Sequence, residues 1–259
     1  MAYYEPVDQS LRIAITGASG FLGGLLVQLL RRRHKVVAFD RRPVAEAEME
    51  NHPNVEWYQV DLTDTASLND NVSCIRAGGR VHVLIHLAAY YDFTGEENPE
   101  YQRTNVDAMR SLLDASRRLD LEHFVFASSV AACPFSSPGR PITEETPPHG
   151  SHIYARTKRA GEEMLADYTD SFSPIIVRFA ALFSDWCEYP PLQVLLDTWL
   201  SGGWSARVLA GRGQSAVPYL HVRDGAAFMM RLLERRHRLE PMEVVIAGED
   251  GAVSHLELY

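Results

Sequence analysis

Tyr154, Ala155, Arg156, Thr157 and Lys158 form a YxxxK pattern. On a helix, residues four apart lie one above the other, so the phenol and the ammonium project into the same space. A nearby fixed positive charge favours the phenolate and lowers a pKa that is about 10 when unperturbed. A tyrosine tuned in this way can take a proton from a substrate hydroxyl, or return it, near neutral pH. Ser129, at the end of an apolar run, offers a hydroxyl that could hydrogen-bond the reacting oxygen. A YxxxK alone is common by chance, and an exposed Tyr–Lys pair on a helix is the plain alternative. The order of motifs favours catalysis: a glycine loop, an acid and a strand-end serine come first.

The glycine loop is Thr16–Gly23, TGASGFLG, with glycines spaced GxxGxxG. Gly17 permits a tight turn, Gly20 lets the backbone approach a pyrophosphate, and Gly23 allows close helix–strand packing. The helix that opens at Phe21 then offers unpaired amides to phosphates. Such spacing is weak by itself, but it falls at the strand–helix junction where the mechanism needs it. Asp40 ends the next strand, where a carboxylate accepts hydrogen bonds from a ribose diol and repels a 2′-phosphate; a polar strand terminus is the plainer reading. Arg41 and Arg42 could meet a 2′-phosphate, so NAD is the expected cofactor and NADP stays open.

Apolar runs that read as strands occur at Leu11–Ile15, Lys35–Phe39, Val55–Val60, Val81–Leu87, His123–Ala127 and Pro174–Phe179. Helical spacing occurs at Phe21–Arg33, about Asp107–Arg118 and about Tyr154–Tyr168. Near-continuous apolar strands between helices predict an α/β fold, a doubly wound parallel sheet covered on both faces with right-handed crossovers. Past Phe179 the rhythm is irregular: a helix at Leu192–Leu200, strands at Arg207–Ala210 and Tyr219–Val222, a helix at Arg223–Arg236 and a last strand at Glu243–Ala247. The expected division is a dinucleotide-binding part over 1–179 and a smaller substrate-binding part over 180–259, interleaved with the last strand. The Pro134–Gly150 loop is long enough to be functional. The chain stops at SHLELY, which reads as the first turns of a helix, so a longer natural chain is expected.

With 259 residues, 46% hydrophobic and 23% charged, the chain is core-forming and not disordered. A net charge of −9 argues against a nucleic-acid partner held by phosphate neutralisation. The basic clusters Arg31–Arg33 and Arg235–Arg236 stand where they would complement helix C-termini. Cys74, Cys133 and Cys187 are an odd number with no CxxC, which fits a reducing compartment and no disulfide framework. No signal peptide is evident and no apolar run is long enough to span a bilayer, so the expectation is a soluble cytoplasmic protein without a membrane partner.

TGASGFLG, Asp61-Leu62, His86-Leu87-Ala88-Ala89, Asn105, Ser128-Ser129 and YARTK together resemble the extended short-chain dehydrogenase/reductase family, the NAD-dependent epimerase/dehydratase group. The resemblance covers essentially the whole chain and implies a Rossmann fold. It implies that Gly17, Ser19, Gly20, Phe21, Leu22, Gly23, Asp40 and Arg41 bind the cofactor. Asp61 and Leu62 would lie beside the adenine, Leu87, Ala88 and Ala89 would line the cofactor, and Asn105 would be a supporting polar residue. Ser129, Tyr154 and Lys158 would be catalytic, with Tyr154 and Lys158 also touching the nicotinamide end. Helices such as 107–118 and 154–168 commonly form a dimer interface in that family, so a homodimer is expected.

Departures from the family narrow the substrate. Nucleotide-sugar epimerases usually carry an Arg in a segment like RDYIHVxD; here Val217 takes that place before Pro218-Tyr219-Leu220-His221-Val222-Arg223-Asp224. Valine cannot give the bidentate contact a diphosphate calls for, although Arg212 could compensate. Arg178-Phe179-Ala180-Ala181 lacks an Asn often found there, and Val130-Ala131 replaces the Asp-Glu pair of sugar dehydratases. Tyr90, Tyr91, Phe93, Cys133, Phe135 and Phe179 are candidates to line an apolar substrate cleft, and core packing explains each singly as well. His82 and His86 lie roughly 13 Å apart on a strand, too far to share an ion; His221 reads as structural, and no metal is expected. The function expected is an NAD(P)-dependent oxidoreductase or epimerase acting on an alcohol, ketone or sugar-like substrate. The alternative is a non-catalytic dinucleotide-sensing module that regulates a partner or fused domain, a role that has no need of a proton donor.

Overall fold

The computed structural model of the protein describes residues 10–47, 49, 51–134, 141–187, 189–209, 213, 216–249 and 251–259. Phe135, Arg212, the end of the expected strand at Ala210 and part of the Pro134–Gly150 loop lie outside the described residues.

The chain opens with β1 (Arg12–Thr16), α1 (Phe21–Leu30), β2 (Lys35–Asp40) and β3 (Val55–Gln59). α2 (Thr65–Ala77) leads into β4 (Val83–His86). A single turn α3 (Pro99–Gln102), a π-helical turn at Arg103–Asp107 and α4 (Ala108–Ser116) then run to β5 (His123–Ser129). α5 (Ile153–Met164) precedes β6 (Ser173–Phe179). β7 (Ala181–Phe183), α6 (Pro190–Leu200), β8 (Ala216–Val217), β9 (Tyr219–His221) and α7 (Val222–Arg235) follow. β10 (Glu243–Ala247), β11 (Val253–Ser254) and α8 (His255–Leu258) complete the described elements.

Seven strands form one sheet in the order β10-β6-β5-β4-β1-β2-β3, and every pairing is parallel. Successive side chains on a strand face opposite ways, so Ile13 and Ile15 join one core and Ala14 the other. On the first face Leu22, Leu26 and Val27 of α1 meet Ala226, Met229 and Leu233 of α7. On the second, Leu68 and Val72 of α2, Leu112 and Leu113 of α4 and Met164 of α5 cover Phe39, Leu84 and Phe124. This double covering is why the strands read as unbroken apolar runs.

The strand order reverses between β1 and β4, and ligands of open α/β sheets bind in the crevice outside the carboxyl ends at such a point. The fold is the expected doubly wound sheet, with four corrections. α2 is a helix the apolar rhythm did not announce. In place of a strand at 207–210, Trp204–Arg207 is a 3₁₀ turn. The helix expected from Asp107 is preceded by a π turn. Short strands β7, β8 and β11 were not foreseen; β7 pairs parallel with β9, and β8 antiparallel with β11.

Candidate active site

The crevice at the switch point is a cleft of about 1110 Å³. Its floor is the glycine loop. Gly17 has φ +68°, a left-handed conformation that lets the chain turn back at the end of β1. A Cβ on Gly23 would lie 2.1 Å from the Gly17 carbonyl oxygen, so α1 approaches β1 this closely only through glycine. α1 begins after Gly20 with no side-chain cap and no acid in its first turn. Its amides and positive dipole end therefore face the cleft without an internal anion. Gly17, Gly20, Phe21, Leu22 and Gly23 all line the cleft.

Asp40 ends β2 at the rim of the same cleft. Its Oδ2 accepts from the Ser19 amide at 2.8 Å and its Oδ1 from the Arg42 amide at 3.0 Å. Burial raises the Asp40 pKa, but these hydrogen bonds and the Arg42 charge outweigh it and hold the carboxyl below its ordinary value. Asp40 thus remains an anionic acceptor. Arg42 also donates to the Ser19 carbonyl at 2.8 Å, which ties the glycine loop to the end of β2. Arg41, Asp61, Leu62, Leu87, Ala88 and Ala89 line the cleft. Asp61 is also held below its ordinary value: burial raises it, but hydrogen bonds from Thr63 and the charges of Arg103 and Arg41 outweigh that.

Ser19 and Asn105 do not line the cleft; each braces it. Asn105 sits in the π turn, where its Oδ1 accepts from the Tyr90 amide at 2.7 Å. Its Nδ2 donates to the Tyr90 carbonyl at 3.0 Å and to Thr157 Oγ1 at 3.2 Å. One buried side chain therefore joins the loop after β4 to the helix carrying Tyr154 and Lys158.

Ser129, Tyr154 and Lys158 converge on this cleft. β5 delivers Ser129 at its carboxyl end, where Oγ accepts from the Ala131 amide at 3.1 Å and donates over 3.4 Å to the Phe179 carbonyl. α5 starts at the His152 cap, whose Nδ1 accepts from the Ala155 amide. Lys158 Nζ lies 5.5 Å from the centre of the Tyr154 ring and donates to the Ala127 carbonyl at 2.7 Å. The electrostatics correct the sequence expectation. Burial pushes the Tyr154 phenol up, with Tyr91, Tyr101 and Tyr189 adding to the rise. Burial also brings Lys158 down to about 8, against the opposing pull of Glu162. In this state the phenol holds its proton firmly.

Aromatic side chains wall the outer cleft. Tyr91 stacks on Tyr154 with ring centres 4.4 Å apart and touches Phe93 at 4.2 Å, and Phe93 meets Tyr189 edge-on at 5.5 Å. Asp92 fixes this loop by accepting from Thr94, Tyr101 and Tyr90. Tyr90, Cys133, Phe179 and Val217 also line the cleft. Tyr189, His152 and Asp92 were missed in the sequence. Tyr189 carries one visible signal, the Pro190-Pro191 helix start that follows it; its nearness to Tyr91 is purely three-dimensional.

The histidines are separately engaged. His82 Nδ1 accepts from the Arg12 amide, and His86 Nδ1 lies 2.7 Å from Thr16 Oγ1. His221 caps α7 and lies 3.3 Å from Asp185. Among the described residues, Glu122, His123 and His237 bring ligand-type atoms within 4.8 Å at the amino end of β5. Arg80 at 3.4 Å and Arg236 at 3.8 Å already face the Glu122 carboxylate, so that corner is charge-paired and repels a further cation.

Residues 13–248 match the family described as NAD dependent epimerase/dehydratase. The chain belongs to the NAD-dependent epimerase/dehydratase family. An uncharacterized protein of Sinorhizobium fredii is 30% identical over 217 residues, 82% of this chain and 51% of that one. A 3 beta-hydroxysteroid dehydrogenase/Delta 5→4-isomerase of Mycobacterium tuberculosis is 34% identical over 125 residues, 46% of this chain and 31% of that one. The UDP-glucose 4-epimerase of Thermus thermophilus, solved in complex with NAD, shares the fold with a TM-score of 0.78 at 23% identity, over 96% of this chain and 81% of that one. The chain spans about half the length of the curated relatives it matches. The family's NAD suits the cleft: the uncapped helix start fits a pyrophosphate, and the ionised Asp40 fits a ribose diol. Among the described residues no helix is long and apolar enough to cross a membrane.

Proposed function

We propose that the protein is an NAD-dependent oxidoreductase or epimerase that exchanges a hydride with a secondary alcohol or ketone carbon, with Tyr154 as acid/base. One observation carries this reading: Ser129, Tyr154 and Lys158 line the same cleft as the glycine loop and Asp40. Gly17, Gly20, Phe21, Leu22 and Gly23 would hold the pyrophosphate of NAD, with Ser19 and Arg41 supporting that end. Asp40 would take the adenosine ribose, Asp61 and Leu62 the adenine, and Leu87–Ala89 the inner cofactor, with Asn105 bracing that loop. When bound, the nicotinamide would take up the hydride in alcohol oxidation and, in its reduced form, return it in ketone reduction. The chain's own residues handle the proton. Tyr154 gives its proton to a ketone oxygen as that oxygen becomes an alcohol, and takes it back in the reverse direction. Lys158 steadies the phenolate through its charge, and Ser129 turns its hydroxyl from the long Phe179 contact toward the substrate oxygen.

The outer wall of Tyr91, Phe93, Leu182, Tyr189 and Val217 favours an apolar or aromatic alcohol or ketone. A nucleotide sugar is the second reading, supported by the likeness to UDP-glucose 4-epimerases. A panel of apolar ketones, alcohols and UDP-sugars, followed by nicotinamide absorbance and by product analysis, separates the two. Tyr154→Phe is expected to lower kcat by about 10²–10⁴-fold while NAD binding is kept. Full turnover by that variant would remove Tyr154 from the acid/base role, whereas NAD binding with no turnover of any compound in the panel would leave the dinucleotide-sensing alternative.

A further inference from the structure

Residues 154, 158 and 162 recur every four positions, so Glu162 continues the stripe of Tyr154 and Lys158 on α5. Glu162 is buried, and its carboxylate reaches across to other elements. Oε1 accepts from Ser128 Oγ at 2.5 Å and from Arg178 Nε at 3.0 Å, and Oε2 accepts from Arg178 Nη2 at 2.8 Å. Arg178, on β6, is buried too, and its Nη1 donates to the Thr146 carbonyl at 2.7 Å. Lys158 reaches the same strand end through Ala127. One carboxylate thus connects α5, the β5 terminus beside Ser129, β6 and the 144–146 loop.

We propose that Glu162 is a positioning residue for the proton-transfer machinery: it locks the Lys158 helix to the Ser128–Ser129 strand end and serves as the buried counter-charge of Lys158. This rests on the catalytic reading above. The charge inventory supports it. Lys158 faces Tyr154 on its own helix, the Phe126 ring 4.9 Å away on β5, and His86 on β4, which is neutral at physiological pH. Burial drives Lys158 toward its uncharged form, and Glu162 opposes this. On its other side Glu162 faces Arg178, which cannot lose its proton, and the Cys133 thiol, which burial keeps protonated. Loss of the Glu162 carboxylate would remove the anion that both buried cations, Lys158 and Arg178, interact with.

The sequence makes a direct test possible, because Lys35 and Lys158 are its only lysines. Labelled-lysine NMR of the full chain gives two titrating signals, with exposed Lys35 as internal control. In Glu162→Gln the Lys158 midpoint is expected to fall by about one pH unit while Lys35 does not move, and the alkaline limit of kcat is expected to fall by the same amount at little-changed NAD KM. Breaking a buried pair can prevent folding. Glu162→Gln combined with Arg178→Met removes both charges, and Lys158 is again expected to titrate lower. Ser128→Ala keeps both charges, so the Lys158 midpoint is expected to stay while kcat falls. An unchanged Lys158 midpoint in the Gln-bearing variants overturns the proposal. The NMR readout needs no substrate, so failure of the substrate panel, or an active Tyr154→Phe, counts against the catalytic reading and not against this one.

Discussion

His86 shows how one residue's burial sets a property of the whole protein. Burial, and then the charge of Lys158, lower its pKa to about 3, whereas an unfolded histidine titrates near 6.5. Between those values the unfolded chain binds a proton that the folded chain refuses, so the stabilisation is complete above about 6.5 and is lost as the pH falls toward 3. The slope from this group approaches 1.4 kcal/mol per pH unit. His123, also lowered by burial, adds in the same direction. Melting curves from pH 7 to 4 are expected to show a shallower fall for His86→Asn than for wild type; identical slopes would refute this. Tyr154 marks what a sequence conceals at this scale. Its spacing to Lys158 was legible and its place in the cleft followed, but the balance of burial against charge depends on Tyr91, Tyr101 and Tyr189, which are distant in sequence.

At the scale of elements, the β1–α1 junction was readable because glycine alone satisfies its contacts. Gly23→Ala would place a methyl 2.1 Å from the Gly17 carbonyl, and backbone must move to admit it. Urea unfolding is expected to show a loss of about 1–3 kcal/mol, and calorimetry at least tenfold weaker NAD binding. Gly24→Ala is the control, since its added carbon would meet nothing nearer than the Met49 side chain at 3.6 Å. Helix propensity alone favours alanine at both positions, so an equal loss in both variants would refute the contact argument. α2 escaped notice because only Leu68, Val72 and Ile75 are buried along it. The Asp64 cap, which accepts from the Ser67 amide, and the four- and three-residue spacing of those apolar positions were the signals present. The strand expected at 207–210 failed for the opposite reason: β-favouring residues in an irregular segment need a neighbouring strand to pair with, and short runs do not encode one.

For the whole molecule, the doubly wound sheet was visible in alternating apolar runs; of the aromatic wall of the cleft, Tyr91 and Phe93 were named as candidate lining residues, while Tyr189 was not. That wall is assembled from segments near 91, 154 and 189. Cofactor binding is expected to stabilise the entire fold by mass action. NAD at a hundred times its Kd should add about 2.7 kcal/mol, a rise of roughly 5–10 °C in Tm for a chain of this size. NADP at the same concentration is expected to shift Tm less, because Asp40 repels a 2′-phosphate. Scanning calorimetry with both nucleotides checks this, and an equal shift would remove Asp40 from the role assigned to it.

β10 arrives from residues 243–247 to lie against β6, more than sixty positions after β6 itself. During synthesis the ribosome therefore releases β6 long before its outer neighbour exists. In the interval a row of open backbone donors and acceptors stands ready to pair with any passing strand, including one from another nascent copy. The assembly step most exposed to aggregation thus lies at the edge of the sheet farthest from β3, and slow translation between residues 180 and 240 would prolong it.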